Sequence, residues 1–347
     1  LLDILYSTIS RARRRYYQRR PHLRRRLGAP VISVGNLTVG GSGKTPLTAE
    51  IARMLVDMNE RVSILSRGYA RRIVEDGVVI VSDGAGVLTD VARSGDEPLM
   101  LAGMVPKAAV LVSSSRYTAG RVAERKLGCT VHVLDDGFQH FDLMRDVDLL
   151  VAPDTLDDTR TLPFGRFREP VDAAAMADAL LVELPSDHTA APERAEALCH
   201  AAAERLKVAT VFGFSRRIAG PAPDQPAYAF AGIARPERFY HDLEHAGWRL
   251  TGRRSFGDHH HYSKREIEDV VRAAMESGAK VVLTTEKDMV RLGSERMGSD
   301  PRAQADPPVS GVRPRVTPVP LVVTIDPAFR PWLADRLRAA RGAGGAG

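Results

Sequence analysis

The chain has 347 residues, 44% of them hydrophobic and 27% charged, with a formal net charge of +6. That length suits two α/β units rather than a single core, and the two cysteines, Cys129 and Cys199, support neither a disulfide framework nor a cysteine zinc site, which fits a reducing compartment. The charge is local, because Arg11 to Arg26 holds nine arginines and no acid; taking nine from +6 leaves the remainder at −3 and argues against a basic globular surface.

Ahead of those arginines, LLDILYSTIS places Leu1, Leu2, Leu5 and Ile9 on one face of an amphipathic helix. The stretch is far shorter than the roughly 20 apolar residues a bilayer span requires. Residues 1–27 therefore read either as a basic helix lying on an anionic membrane surface or as a solvated helix that caps the body. The chain starts at Leu1 without methionine, which leaves room for a longer anchor upstream.

The run Val31-Ile32-Ser33-Val34 predicts a buried strand, GNLTVGGSGKTP (35–46) a loop, and TPLTAEIARMLVDM the amphipathic helix behind it. Apolar runs at 62–66, 77–81, 108–114, 130–136, 147–152 and 178–184 alternate with helical or glycine-rich segments. This predicts an α/β domain over 28–215, a mostly parallel sheet with helices on both faces. Gly220 to Pro226 reads as a proline-rich connector. A smaller α/β domain is expected over 225–335, from the strand AYAFAGI through the helices PERFYHDLEHAG and KREIEDVVRAAMESG to a final strand VPLVVTI, with a polar loop at about 293–316. The tail 336–347, ending in RGAGGAG, reads as disordered.

The loop departs from Gly-x-x-x-x-Gly-Lys-Thr, since Thr38 stands where the first glycine is expected. Gly43-Lys44-Thr45 between a strand and a helix still points to phosphate. Backbone N–H groups of Gly40, Gly41, Ser42, Gly43 and Lys44 can wrap a polyphosphate, Lys44 can reach its outer phosphates, and Thr45 can ligate Mg²⁺. Pro46 falls in the first helical turn, where its missing N–H costs nothing. Asp135 and Asp136 end an apolar run; two adjacent carboxylates repel unless a cation or proton lies between them, which favours Mg²⁺. Asp96-Glu97-Pro98 reads as a helix cap with an acidic first turn, as a general base that takes a proton from an acceptor hydroxyl, or as a further metal contact. His241 and His245 lack the H-E-x-x-H order and read as a solvated helix face. Asp258 and His259 would tune a carboxylate across a cleft if the second domain faces the first.

Taken in order, VGNLTVGGSGKTP, LSRGY, GDEP, LDDGFQH, LPFGRFREP, AFAGIARPERF, FGDHH and LTTEKD resemble the tetraacyldisaccharide 4'-kinases from about Pro30 to Ile325. That family's loop resembles Gly-Asn-x-x-x-Gly-Gly-x-Gly-Lys-Thr-Pro, which leaves position 38 free. The resemblance implies a P-loop NTPase-type fold and ATP with Mg²⁺ as the donor system. It also implies an acceptor, the 4'-hydroxyl of a tetraacylated glucosamine disaccharide 1-phosphate, the lipid A precursor. Carried over by motif, Lys44 and Thr45 hold phosphates, and Thr45, Glu97, Asp135, Asp136 and Gln139 form the metal side. Asp96 becomes the general base supported by Asp258 and His259, while Tyr69, Arg116, Arg168 and Glu169 line the cleft. Residues 1–27 become an anchor to the anionic cytoplasmic face of the bacterial inner membrane, for a peripheral or monotopic protein; no nucleic acid and no protein partner is implied.

Two rivals are weaker. A membrane-associated P-loop GTPase or ATPase switch would specify guanine through Asn/Thr-Lys-x-Asp, but Thr285-Glu286-Lys287-Asp288 has the wrong spacing. A nucleic-acid-binding ATPase would have only Tyr16 and Tyr17 in the arginine run as stacking partners.

Overall fold

The computed structural model describes residues 2–40, 43–69, 71–185, 192–219, 224–296 and 314–344. Helix α1 (Leu2–Gln18) leads to β1 (Val31–Asn36), and the glycine loop joins β1 to α2 (Lys44–Val56). The alternation continues through β2 (Val62–Ser66), β3 (Val79–Asp83), α3 (Val91–Ser94), α4 (Asp96–Met104), β4 (Ala109–Val112), α5 (Arg116–Leu127) and β5 (Val131–Asp135). Next come β6 (Val147–Val151), β7 (Ala179–Glu183), α6 (Pro192–Leu206) and β8 (Val211–Ile218). The second part holds β9 (Pro226–Ala231), α7 (Pro236–His245), β10 (Arg249–Ser255), α8 (Lys264–Glu276), β11 (Val281–Thr285), α9 (Glu286–Arg296) and β12 (Arg315–Val319). Strand β13 (Leu321–Ile325) and helix α10 (Phe329–Gly344) close the chain.

Nine strands form one sheet in the order β13-β8-β7-β6-β1-β5-β2-β4-β3. Only its two edge pairs, β13 with β8 and β3 with β4, are antiparallel. Strand β1 is buried along its whole length, as an apolar central strand covered on both faces must be. It runs parallel to β5 with Val34 opposite Asp135, so the glycine loop and the Asp135-Asp136 pair leave the same sheet edge as neighbours. Ligands of open parallel sheets bind at that carboxyl edge. A four-stranded parallel sheet, β10-β9-β11-β12, forms the smaller domain. There Ser263 and Glu266 close a reciprocal capping box at the start of α8.

The expected boundaries 225–335 and 336–347 need correction. Strand β13 pairs with β8, with Ile325 opposite Phe214, in the large sheet, and Phe329, Leu333 and Leu337 of α10 are buried in that sheet's core. An apolar strand announces burial but not which sheet it joins. Residues 336–344 stay helical although rich in glycine and arginine, because Leu333 and Leu337, one turn apart, hold the helix down. Residues 345–347, the bulk of the 293–316 loop and Gly220 to Pro223 of the connector lie outside the described residues.

The expected basic helix over 1–27 ends at Gln18 and is held along one side. Ser7 meets Thr161 at 2.8 Å, Arg11 meets Asp172 at 3.1 Å, and Arg14 grips Glu169 through Nε and Nη2 at 2.9 and 2.5 Å. The other side leaves Leu2, Ile4, Leu5, Ile9 and Tyr16 exposed. Arg14 is the one buried residue of the helix. Among the described residues, Arg13, Arg15, Arg19 and Arg20 form no ion pair with an acidic side chain.

Candidate active site

Two glycines shape the loop at the sheet edge. Gly40 has φ +96° and Gly43, the residue capping α2, has φ +67°, conformations that L side chains rarely adopt. Gly41 and Ser42 lie outside the described residues. From the first turn of α2, Lys44 Nζ reaches Asn36 Oδ1 at 2.8 Å and Asp136 Oδ1 at 3.1 Å. Asn36 is a buried strut: its amide nitrogen also donates to Thr38 Oγ1 at 3.2 Å. Thr38, the departure from the strict loop pattern, forms a bridge with Phe167, and Arg168 N donates to Leu37 O at 2.7 Å. The GRFREP segment thus splints the loop from outside. Thr45 is partly exposed and Pro46 is buried.

Beyond β5 the two aspartates diverge. Asp136 adopts φ +56° and is clasped by Lys44 and by Arg168 Nη1 at 2.6 Å. Burial works against its ionisation, but these two cations outweigh it and hold the carboxyl below its ordinary range. Among the described residues the Asp135 carboxylate accepts a hydrogen bond from Thr48 Oγ1, at 3.1 Å, and from no other side chain. Burial first, then the charges of Asp136 and Glu97, push it up to about 6.

Gln139 donates to Asn36 O at 3.0 Å and Glu169 Oε2 at 3.2 Å, and its buried Oε1 has no partner among the described residues. Glu169 is 2% exposed and committed to Arg14 and Gln139. Glu169, expected to line the cleft, has a carboxylate that ties α1 to Gln139 in the segment after β5, because a buried charge needs its partners close. Arg168 remains at the cleft through Asp136. Buried Arg116 lies within electrostatic reach of both aspartates; burial, with Arg67 adding, lowers it to about 10, and its Nε has no partner among the described residues.

The second wall comes from two domains. Asp96 and Glu97 open α4, and the smaller domain closes on them. His259 Nδ1 is 3.0 Å from Asp96 Oδ2, and Arg291 Nε donates to the same oxygen at 2.7 Å. Burial opposes ionisation of Asp96, yet His259, Arg291 and Lys287 keep its carboxyl below the ordinary range. Asp258 Oδ1 accepts from the His259 backbone N–H at 3.0 Å and so supports the histidine rather than Asp96 itself. His259 sits at φ +58°. The ring of Tyr69, 72% exposed, lies 6.1 Å from the His259 ring.

Sequence reasoning missed Lys287 and Arg291. Lys287 Nζ pairs with Glu97 at 2.8 Å; Arg291, one helical turn on, also donates to Gly232 O and to Asp288. The four-residue spacing on an acid-facing helix is the signal the sequence offers for them. His241 and His245 stack their rings at 3.9 Å, with the His241 side chain 65% exposed, as a solvated face should. Among the described residues no group of three or more His, Cys, Asp or Glu could hold a metal.

The family profile described as tetraacyldisaccharide-1-P 4'-kinase matches residues 1–338. A tetraacyldisaccharide 4'-kinase of Desulfotalea psychrophila is 35% identical over 338 residues, covering 91% of each chain. One from Anaeromyxobacter dehalogenans is 41% identical over 281 residues, covering 77% of this chain and 73% of the relative. Among solved structures, the "apo" form of LpxK from Aquifex aeolicus in complex with ATP superposes with a TM-score of 0.73 at 28% identity, covering 97% of both chains.

Proposed function

The chain belongs to the tetraacyldisaccharide-1-phosphate 4'-kinase family, and from that premise we propose how its own residues carry the transfer from ATP to the 4'-hydroxyl of the lipid disaccharide. One observation carries the reading: Lys44 of the glycine loop pairs with Asp136 at 3.1 Å, and Asp135 next to it feels the charge of Glu97, the neighbour of Asp96, which supports the base and the loop bordering one cleft.

In that cleft the loop N–H groups and Lys44 bind the donor's outer phosphates at the start of α2, where backbone donors and the helix dipole favour an anion. Asp96, ionised under His259 and Arg291, accepts the proton of the attacking hydroxyl. His259, held by Asp258, orients that carboxylate. Such a site works by alignment and by spreading charge, because phosphoryl transfer asks little covalent chemistry of the protein.

The residues present also fit Mg²⁺. The donors Thr45, Glu97, Asp135, Asp136 and Gln139 are all oxygens suited to a hard cation, and Gln139 Oε1 and the weakly satisfied Asp135 are acceptors short of donors. Mg²⁺ commonly takes one or two carboxylates together with substrate phosphates, so a three-carboxylate cage is not required. When bound it would neutralise charge on the transferring phosphates.

No described helix is long and apolar enough to cross a membrane. We read α1 as lying on the anionic cytoplasmic face of the inner membrane, with Leu2, Leu5 and Ile9 toward the acyl region and the arginines that have no acidic partner among the described residues toward headgroups. A substrate with four acyl chains stays in the bilayer, which supports that placement. The deciding experiment is transfer of labelled γ-phosphate from ATP to the lipid disaccharide; GTP hydrolysis with no lipid phosphorylation would replace this reading with that of a nucleotide switch.

A further inference from the structure

One arginine of the large sheet approaches the glycine loop without belonging to any motif. Arg216, on β8, has a side chain 11% exposed. Its Nε donates to Glu183 Oε1 at 2.9 Å and its Nη2 to Glu183 Oε2 at 3.3 Å. The remaining nitrogen, Nη1, lies against Gly43: a Cβ placed on that glycine would be 2.3 Å from it. Among the described residues Nη1 has no hydrogen-bond partner.

Glu183, at the end of β7, also takes Arg238 of α7 from the smaller domain. One carboxylate therefore serves two guanidinium groups directly, with Asp242 of α7 within electrostatic reach of both. A pair serving only to tie α7 to the sheet would be complete with Arg238 and Glu183 alone. The second guanidinium is instead locked in a fork, with its free N–H groups turned to the residue capping α2, where the loop collects anionic charge.

We propose that Arg216 is a phosphate-binding residue for the nucleotide, presented by Glu183 as a positioning residue. This rests on the reading of the loop as an ATP site. Glycine is required at 43 both for its φ of +67° and because any side chain would displace the guanidinium. Since Arg238 holds the same carboxylate, the nucleotide's phosphates and the smaller domain share one support. Arg216 fits phosphate because its planar fork engages Glu183 through one edge and leaves other donors available.

The test is calorimetric binding of ATP and of tripolyphosphate, which has the charge but no base, to the full chain and to Arg216→Ala and Arg216→Lys. Loss of a charge-assisted contact should weaken both probes on the order of 10- to 100-fold in Arg216→Ala. Arg216→Lys should recover part of that loss, and in turnover the KM for ATP should rise while that for the lipid stays. Unchanged binding of both probes in Arg216→Ala overturns the proposal, as does weaker ATP binding with tripolyphosphate unaffected. Arg216→Lys binding as poorly as Arg216→Ala, with a lowered unfolding midpoint, makes the residue a structural strut and also overturns it. If the parent chain binds ATP while Arg216→Ala matches it, only this proposal fails; if the parent binds neither probe, the ATP reading fails with it.

Discussion

His259 Nδ1 lies 3.0 Å from Asp96 Oδ2 although 163 residues separate the two in the chain. The proposed base and the group that orients it thus belong to different domains, and the contact exists only where the domains meet. Asp96→Asn should lower kcat by roughly 10²- to 10⁴-fold, the usual range for a lost general base, while ATP affinity stays near that of the parent. His259→Ala should lower kcat less, because Arg291 still holds Asp96 at 2.7 Å. Rapid-quench kinetics with a separate ATP-binding measurement checks both; equal losses in binding and kcat would make the pair structural.

Lys44 is held at 2.8 Å from Asn36 and 3.1 Å from Asp136. Lys44→Ala should cost on the order of 10²-fold or more in kcat, as removal of a preorganised donor to developing charge does. Asn36→Ala should do part of the same damage indirectly, by freeing the lysine and leaving Thr38 without its donor. A turnover assay at saturating lipid separates them, since a freed lysine still carries its charge and Lys44→Ala does not.

The N-terminal arginines divide into two classes with opposite expected effects. Arg14 is buried against Glu169, so Arg14→Ala strands a buried carboxylate and should destabilise the fold by about 3–5 kcal/mol. Replacing Arg13, Arg15, Arg19 and Arg20 by serine should leave the urea midpoint near that of the parent, as surface changes of within about 0.5 kcal/mol each do. The same fourfold change should strongly reduce binding to anionic vesicles and flatten its salt dependence. Vesicle sedimentation across a salt series is the check, and salt-insensitive binding of the parent would refute the electrostatic grip.

Glu124 gives a stability effect with a defined pH window. The hydrogen bond from His132, aided by the Ala29 N–H at 2.8 Å, outweighs burial and takes its carboxyl from 4.5 to about 2. A depressed folded-state pKa contributes stability that is fully present above 4.5 and lost as pH falls through 2. Glu124→Gln should therefore lower the urea midpoint at pH 7, and the gap to the parent should shrink steadily between those limits. A gap that persists unchanged at pH 2 would assign the loss to packing instead.

What the sequence disclosed was local. The glycine loop, Lys44, Asp135-Asp136 and most strands were legible because strand, loop and helix follow one another within a dozen or so residues and carry their own punctuation. Asp96 was legible as a cap or a base, but the choice needed His259 and Arg291 from another domain. The pairing of Glu169 with Arg14 joins side chains 155 residues apart, and no pattern in a charge run says which arginine will be buried. Strand β13 is legible as a strand but its sheet is not, since an apolar run reads the same whichever edge receives it.

Strand β13 also makes the smaller domain an insertion within the larger one. The chain departs after Ile218 and returns at Leu321, residues that face each other across the sheet, and Ala219 N donates to Pro320 O at 2.9 Å where the two passages meet. On the ribosome, then, the inserted domain is complete before the body that hosts it. The body must wait for Val323, Ile325, Phe329, Leu333 and Leu337 to cover its core, so a chain ending at Val319 would present a finished small domain beside an open sheet edge, the kind of surface that chaperones and proteases recognise.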